Sequence, residues 1–306
     1  HLVDMEQWMA QYCQGCLRKF SHQDQSFFDR VFAQATLRNQ GLAELFRQIN
    51  RLHEEHQALM AAVEAWDNKR LLSADIFFRR LLADKFQQCW RAGITARLGV
   101  EELTAGPSWR RDSRAGALDI SDAVVSDLPQ LPASAFAHVE HLDMSNLSVP
   151  PDEVDRFLRS FANIQTLNLS RNNLTSLPSA LNGLRRITEL NLAYNELTVS
   201  PSIQGCLNRL GELRKLNLRR NRVVSLDVRS LSRLQVLNLS ETGIREWPAG
   251  TLELASLQQL NLSRSAITGV PQAIFTGHDG LMAGTRLNGC PLSPATCADL
   301  LAYAQR

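Results

Sequence analysis

At 306 residues the chain is longer than a typical single domain, so a repeat array beside a second unit is expected. Its 44% hydrophobic content is enough for a core, and a net charge of +2 argues against a whole-chain nucleic-acid binder while leaving local patches open. No apolar run reaches the roughly 18 residues of a membrane helix. Six cysteines in a chain of this size make no dense disulfide framework, so reduced thiols are expected. No leader sequence is visible, and the first residue is His1 rather than Met, which leaves the true N-terminus open.

Residues 1–100 read as a helical bundle. After Met5, the apolar residues Trp8, Met9, Tyr12, Cys16 and Phe20 recur at spacings of three and four, which gives one apolar helical face. A second run holds Phe27, Phe28, Val31 and Phe32. A longer third run carries Leu42, Leu45, Phe46, Ile49, Leu52, Leu59, Met60, Val63 and Trp66. Ser73 reads as the N-cap of a fourth helix with Asp75 in its first turn. That helix is expected to present Ile76, Phe77, Leu81, Phe86 and Trp90 to the bundle.

Two patterns in this region suggest chemistry that the spacing does not support. Cys13-Gln14-Gly15-Cys16 has the C-x-x-C form, but no second ligand pair follows and the pattern falls on an amphipathic helix, so core cysteines are expected. His53-Glu54-Glu55-His56 resembles a metalloprotease helix, yet its histidines are three apart rather than four, so it reads as a solvated or packed helix face. No metal and no cofactor are expected.

Residues 101–116 read as a linker. Thr104-Ala105-Gly106-Pro107 breaks the helical pattern, and Arg110, Arg111 and Arg114 follow.

From residue 117 the period changes. Ile164 to Leu174 reads L-x-x-L-x-L-x-x-N-x-L, through Leu167, Leu169, Asn172 and Leu174. The pattern recurs from Ile187, Leu213, Leu234 and Leu257, with Asn195, Asn221, Thr242 and Ser265 in the Asn slot. This is the leucine-rich repeat consensus, and copies in register are hard to obtain by chance. Leu118-Asp119-Ile120 and Leu142-Asp143-Met144 open the array as degenerate repeats, with Ala123 and Leu147 in the Asn slot, as terminal repeats often do. An eighth starts near Met282, with Leu287, Cys290 in the Asn slot and Leu292. Residues 117–292 thus make about eight repeats. Ser293-Pro294 then opens a helix over 293–306, whose Leu300, Leu301 and Tyr303 are expected to cap the last repeat. The fold class is a helical bundle followed by a right-handed leucine-rich repeat arc with parallel strands and a C-terminal capping helix.

The roles within one repeat follow from its period. Leucines flanking Asn168 face inward, and Asn168 faces the other side. The slot residues Asn172, Asn195, Asn221, Thr242, Ser265 and Cys290 are read as a structural ladder that satisfies turn backbone. The outward column holds Asp119, Asp143, Asn168, Asn191, Asn217, Asn238, Asn261 and Arg286, whose amides could simply pair laterally. Beside it run Arg171, Tyr194, Arg220, Glu241 and Arg264, with Arg214, Lys215, Arg219 and Arg222 thickening one basic stretch. Tyrosine and arginine are types enriched at binding hot spots, so Arg171, Tyr194, Lys215, Arg220 and Arg264 are the expected partner contacts on the concave face. No catalytic residue is assigned.

The repeats, their Leu177-Pro178 and related steps, and the closing Leu287-Asn288-Gly289-Cys290-Pro291-Leu292-Ser293 resemble the leucine-rich region of bacterial effector E3 ubiquitin ligases of the IpaH/SspH type. That family ends its repeats in a G-N-P-L-S-like turn and a short helix; here Cys290 stands where the family has Asn. The order of a helical segment, a helix with Trp90 and then repeats is similar to large Pseudomonas-type members. The resemblance implies recognition of a host protein, secretion by the bacterium into host cytoplasm, and a separate ligase domain beyond Arg306. That domain would form a cysteine thioester with ubiquitin and engage the E2. Cys297-Ala298-Asp299 matches the family's Cys-x-Asp letters but lies on the capping helix with no catalytic domain around it, so it is rejected as the active site. The alternative is a non-enzymatic leucine-rich repeat binding module or adhesin.

Overall fold

The computed structural model describes residues 2–21, 25–68, 73–100 and 116–306. The expected linker at 101–116 lies outside the described residues, apart from Gly116. Two compact units interleave in sequence. The first comprises His1–Asp119, Asp127–Glu140 and Arg159–Phe161, and the second Ile120–Ser126, His141–Leu158 and Ala162–Arg306.

The first unit is built on four helices, α1 (Leu2–Ser21), α2 (Gln25–Leu37), α3 (Leu42–Asp67) and α4 (Ser73–Leu98). Their apolar faces meet in a core that contains Leu17, Phe20, Phe28, Ile49, Leu59, Phe86 and Trp90. Trp90 stands edge-on to Phe20 at 5.3 Å and lies 4.8 Å from His56. Its indole N–H donates to Glu55. The His-Glu-Glu-His stretch is therefore partly packed rather than a ligand set. Cys13 and Cys16 are buried, and burial, with Cys16 adding to it, pushes the Cys13 thiol up to about 11. A thiol so raised is a poor nucleophile.

The phase of α4 differs from the sequence expectation. Phe77 is 63% exposed and Leu81 41%, and the buried stripe runs instead through Asp75, Arg79, Leu82, Phe86 and Trp90. Arg79 is 0% exposed. Its guanidinium donates to Asp75 at 2.6 Å, to the Trp66 carbonyl at 2.9 Å and to Asp127, and lies 4.6 Å from the Trp66 ring centroid. A buried cation is tolerated when paired and hydrogen-bonded in this way. The Trp66 indole also donates to the Asp127 carboxylate at 3.0 Å. The partner that lets Arg79 face inward thus lies 48 positions along the chain. On α1, Met5 and Trp8 are more than half exposed, so the apolar face there is buried only from Cys13 onward.

Residues 127–140 pack with these helices. Leu128, Leu131, Ala135, Phe136 and Val139 are buried, and Phe136 lies 6.4 Å from Phe86. The strand β1 (Ala117–Asp119) also belongs to this unit.

The second unit is a leucine-rich repeat stack. Seven short strands follow in chain order: β2 (His141–Asp143), β3 (Thr166–Asn168), β4 (Glu189–Asn191), β5 (Lys215–Asn217), β6 (Val236–Asn238), β7 (Gln259–Asn261) and β8 (Thr285–Arg286). They pair in parallel, each with the next. The register stacks Leu142, Leu167, Leu190, Leu216, Leu237 and Leu260 in one buried column. A second buried column holds Met144, Leu169, Leu192, Leu218, Leu239 and Leu262. Each such side chain contributes roughly 1.5–3 kcal/mol, which one repeat alone could not realise.

The chain returns between strands through short helices and 3-10 turns. The helix α5 (Pro151–Leu158) buries Val154, Phe157 and Leu158. The longer segment after β4 holds α6 (Pro201–Asn208), with the Ser200 hydroxyl accepting from the Ile203 N–H and Pro201 at the first helical position. A short α7 (Asp279–Ala283) leads into β8.

The last helix, α8 (Pro294–Ala304), is held differently from the expectation that Leu300 and Leu301 would seal the end. Leu301 is 60% exposed, and Thr296 is the buried residue of this helix. Of the three expected cover residues Tyr303 does pack on the preceding segment, its ring 5.7 Å from that of Phe275, and polar contacts add to it. Gln272 donates to Asp299 at 2.9 Å, and Tyr303 donates to Asp279 at 2.6 Å. Among the described residues no helix is long and apolar enough to cross a membrane.

Candidate functional site

The turn that follows each strand decides what the strand face can display. Inside it lies the slot side chain. Asn195 donates to the Leu169 and Leu192 carbonyls, both at 3.0 Å, and accepts from the N–H groups of Asn172 and Leu174, both at 3.0 Å. Asn172 donates to Met144 and Leu169 and accepts from Leu147 N–H; Asn221 donates to Leu192 and Leu218 and accepts from Leu197 N–H. Each amide thus joins two repeats by hydrogen-bonding buried backbone of both. Thr242 donates to the Leu239 carbonyl at 2.7 Å, and Cys290 Sγ to the Leu262 carbonyl at 3.0 Å. Ser265 Oγ lies 3.5 Å from that sulfur. These shorter side chains lack the amide's second function and make fewer bonds.

The outward asparagines do not pair laterally. The Oδ1 atoms of Asn168, Asn191, Asn217, Asn238 and Asn261 each accept from the backbone N–H two residues on, at 3.0 Å. Asp143 does the same for Ser145. These are Asx turns, a local bond that competes with cross-strand pairing. They bend the chain out of the strand.

One residue beyond that N–H partner, the backbone enters the left-handed region in every repeat of this unit. Asp122, Asn146, Arg171, Tyr194, Arg220, Glu241 and Arg264 have φ between 53° and 62°, and Gly289 has φ 75°. Glycine and Asn or Asp reach this region readily; arginine, tyrosine and glutamate do so at roughly 1–2 kcal/mol each. Interlocking bonds hold them there. The N–H of Arg171 donates to Ala193, that of Tyr194 to Arg219, that of Arg220 to Ser240, and that of Arg264 to Asn288, at 2.8–3.1 Å. Side chains that carry such strain and protrude together are candidates for function.

Their side chains meet. The Arg171 guanidinium lies 4.0 Å from the Tyr194 ring centroid, and those of Arg219 and Arg220 each lie 5.6 Å from it. Such contacts are worth about 0.5–1 kcal/mol at an exposed site. Glu241 then takes Arg219 at 2.9 Å, Arg264 at 3.3 Å and Arg220 at 3.9 Å. The hydrogen bond from Arg219 holds the Glu241 carboxyl below the usual carboxylate range, with Arg264 and Arg220 adding to it. The same bond raises Arg219.

Arg171, Tyr194, Arg220 and Arg264 are therefore drawn into one cluster. Lys215 is not part of that set of contacts; it pairs with Glu189 on the neighbouring strand at 3.5 Å. Arg219 and Glu241 complete the cluster, although sequence reading placed neither among the contacts. A lone glutamate in an arginine column was the available signal. Elsewhere, Cys297 is exposed on α8. Among the described residues no group of His, Cys, Asp and Glu is placed to hold a metal ion.

Comparison with known proteins agrees with the repeat reading. The family model described as "Leucine rich repeat" matches residues 155–197. No curated protein matches the chain. Among solved structures, an internalin (inlF) from Listeria monocytogenes is 18% identical with a TM-score of 0.47, over 58% of this chain and 49% of that one. TLR13 in its complex with ssRNA13 is 24% identical with a TM-score of 0.47, over 58% and 25%. The BIR2 ectodomain from Arabidopsis thaliana is 19% identical with a TM-score of 0.32, over 38% and 62%. The chain thus spans less than two thirds of the length of each of these structures. The chain carries a leucine-rich repeat region, a class of protein-interaction module that presents its strand face to partners.

Proposed function

We propose that this chain is the target-recognition region of a bacterial effector E3 ubiquitin ligase of the IpaH/SspH type, secreted into host cytoplasm, where it selects a host protein. In this reading a ligase domain beyond Arg306 carries the thioester cysteine and deals with ubiquitin and the E2. It is also a second partner for the repeats. The observation that carries recognition is the row of strained, outward side chains from Arg171 to Arg264, gathered around Tyr194 and Glu241. The ligase half is supported by the Leu287–Ser293 close of the array and the helix that Ser293 and Pro294 open. In this reading the chain supplies no thioester cysteine of its own, since burial raises the Cys13, Cys16, Cys89 and Cys206 thiols and makes them poor nucleophiles.

Two measurements test this. The 306-residue chain incubated with ubiquitin, E1 and E2 should form no ubiquitin thioester, while a parent protein extending beyond Arg306 should form one at a cysteine other than Cys297. Thioester on this chain, lost in Cys297→Ala, would overturn the assignment. A parent gene that stops at Arg306 would leave the non-enzymatic binding module. Capture from host lysate should be lost in Arg220→Glu.

A further inference from the structure

The strand-face cluster already holds a ligand of a kind, and that ligand is a carboxylate. Three guanidiniums converge on Glu241, and the carboxylate side chain is only 19% exposed, against 59% for Arg220 and 68% for Arg264. Arginine presents five donors in a planar fork, so one shared carboxylate leaves most of them unused. With Arg171, four guanidiniums stand against one carboxylate in a chain whose total net charge is only +2. The positive charge is a local feature of five successive repeats.

We propose that this cluster is a clamp for an acidic, extended segment of a protein partner, and that Glu241 occupies part of the clamp until the partner's carboxylates join or displace it. The proposal rests on the recognition reading above and adds the chemistry of what is recognised. Arg171, Tyr194, Arg220, Glu241 and Arg264 stand on successive repeats, so the row runs about 19 Å at the usual strand spacing. Roughly six extended residues cover that length. Guanidinium–carboxylate pairs are bidentate and directional, which suits a peptide with alternating acidic side chains. Tyr194 braces the guanidiniums of Arg171, Arg219 and Arg220 against its ring. With Arg171 only 4.0 Å from its centroid, the ring offers little room for stacking a nucleobase, which single-stranded nucleic acid needs.

Fluorescence anisotropy on the full 306-residue chain tests this. The probes are a labelled twelve-residue peptide alternating Glu and Ser, its Gln counterpart, and a single-stranded oligodeoxynucleotide of the same net charge. The Glu peptide should bind at least tenfold tighter than the Gln peptide and tighter than the oligonucleotide. Arg171→Glu with Arg220→Glu should weaken it tenfold or more. Glu241→Gln should tighten it severalfold, a gain that a merely structural Glu241 would not give. Equal binding of the Glu and Gln peptides, oligonucleotide binding as tight as the Glu peptide, or no gain in Glu241→Gln overturns the clamp. Circular dichroism spectra matching the parent keep misfolding out of the comparison. The two readings fail separately. A host protein captured by the wild type and lost in Arg220→Glu, with the Glu and Gln peptides bound equally, removes the clamp and leaves recognition standing, whereas capture that Arg220→Glu does not change, or no captured host protein, removes recognition itself.

Discussion

The two units handle arginine in opposite ways. In the helical unit, Arg79 is fully buried and spent on Asp75, Asp127 and the Trp66 carbonyl. In the repeat unit, Arg171, Arg220 and Arg264 are held outward by a backbone that would not adopt its left-handed turn unaided. Burial makes the first cation an internal tie whose loss takes the positive charge away from two carboxylates. Exposure spares the others the desolvation cost, though not the backbone strain, and leaves them available to a partner. The contrast extends to cooperativity. The helical core joins helices and a segment distant in sequence, so it stands or falls as a whole, while a repeat stack is closer to a sum of neighbour terms.

Substitutions can break this contrast at either end. Arg79→Ala should cost the helical unit about 3–5 kcal/mol, since it leaves Asp75 and Asp127 without the cation. Hydrogen exchange should show lost protection across α3 and α4 with little change at β6–β8. A repeat unit that lost protection equally would show that the two units fold as one. Within the stack, Asn195→Ala should cost about 3 kcal/mol, because the N–H groups of Asn172 and Leu174 become buried and unpaired and the Leu169 and Leu192 carbonyls each lose one of their two amide donors. Thr242→Ala removes a single bond and should cost about 1 kcal/mol, a gap readable by urea denaturation.

The outward column should show the reverse sign. Arg220→Gly relieves a left-handed arginine, so it should stabilise by about 0.5–1 kcal/mol while weakening partner capture. A destabilised Arg220→Gly would mean that the turn is unstrained or that the Glu241 contact outweighs the strain. The smallest effect concerns acid. Glu241 has a folded pKa below its unfolded one, so its pairs contribute fully above the ordinary carboxylate range. That contribution is lost as pH falls through the lowered folded value. By NMR titration, Arg219→Gln should move the Glu241 carboxyl back up toward the ordinary range.

Much of this was legible in the residues. Leucines at alternating positions and an amide three residues after the second leucine leave few alternatives to a stacked parallel ribbon. The strands β3–β7 accordingly lie where the repeat consensus puts them. Two features were not legible. The buried face of α4 was misphased because Phe77 and Leu81 look like core and Arg79 does not. The partner that makes Arg79 burial tolerable, Asp127, is far away in sequence. The outward asparagines were expected to pair across strands, but each closes its own turn instead, a choice that depends on where the chain goes next.

The order of the repeats, the inward leucines and the amide slot could be read from spacing alone, because a period of two and one fixed polar position are local facts. Which arginine is buried, which are held outward, and that Glu241 gathers Arg219, Arg220 and Arg264 around itself emerged only when successive coils were stacked. Those side chains belong to neighbouring turns of the ribbon, and the sign and reach of their interactions are set by distances across the stack that no linear spacing encodes.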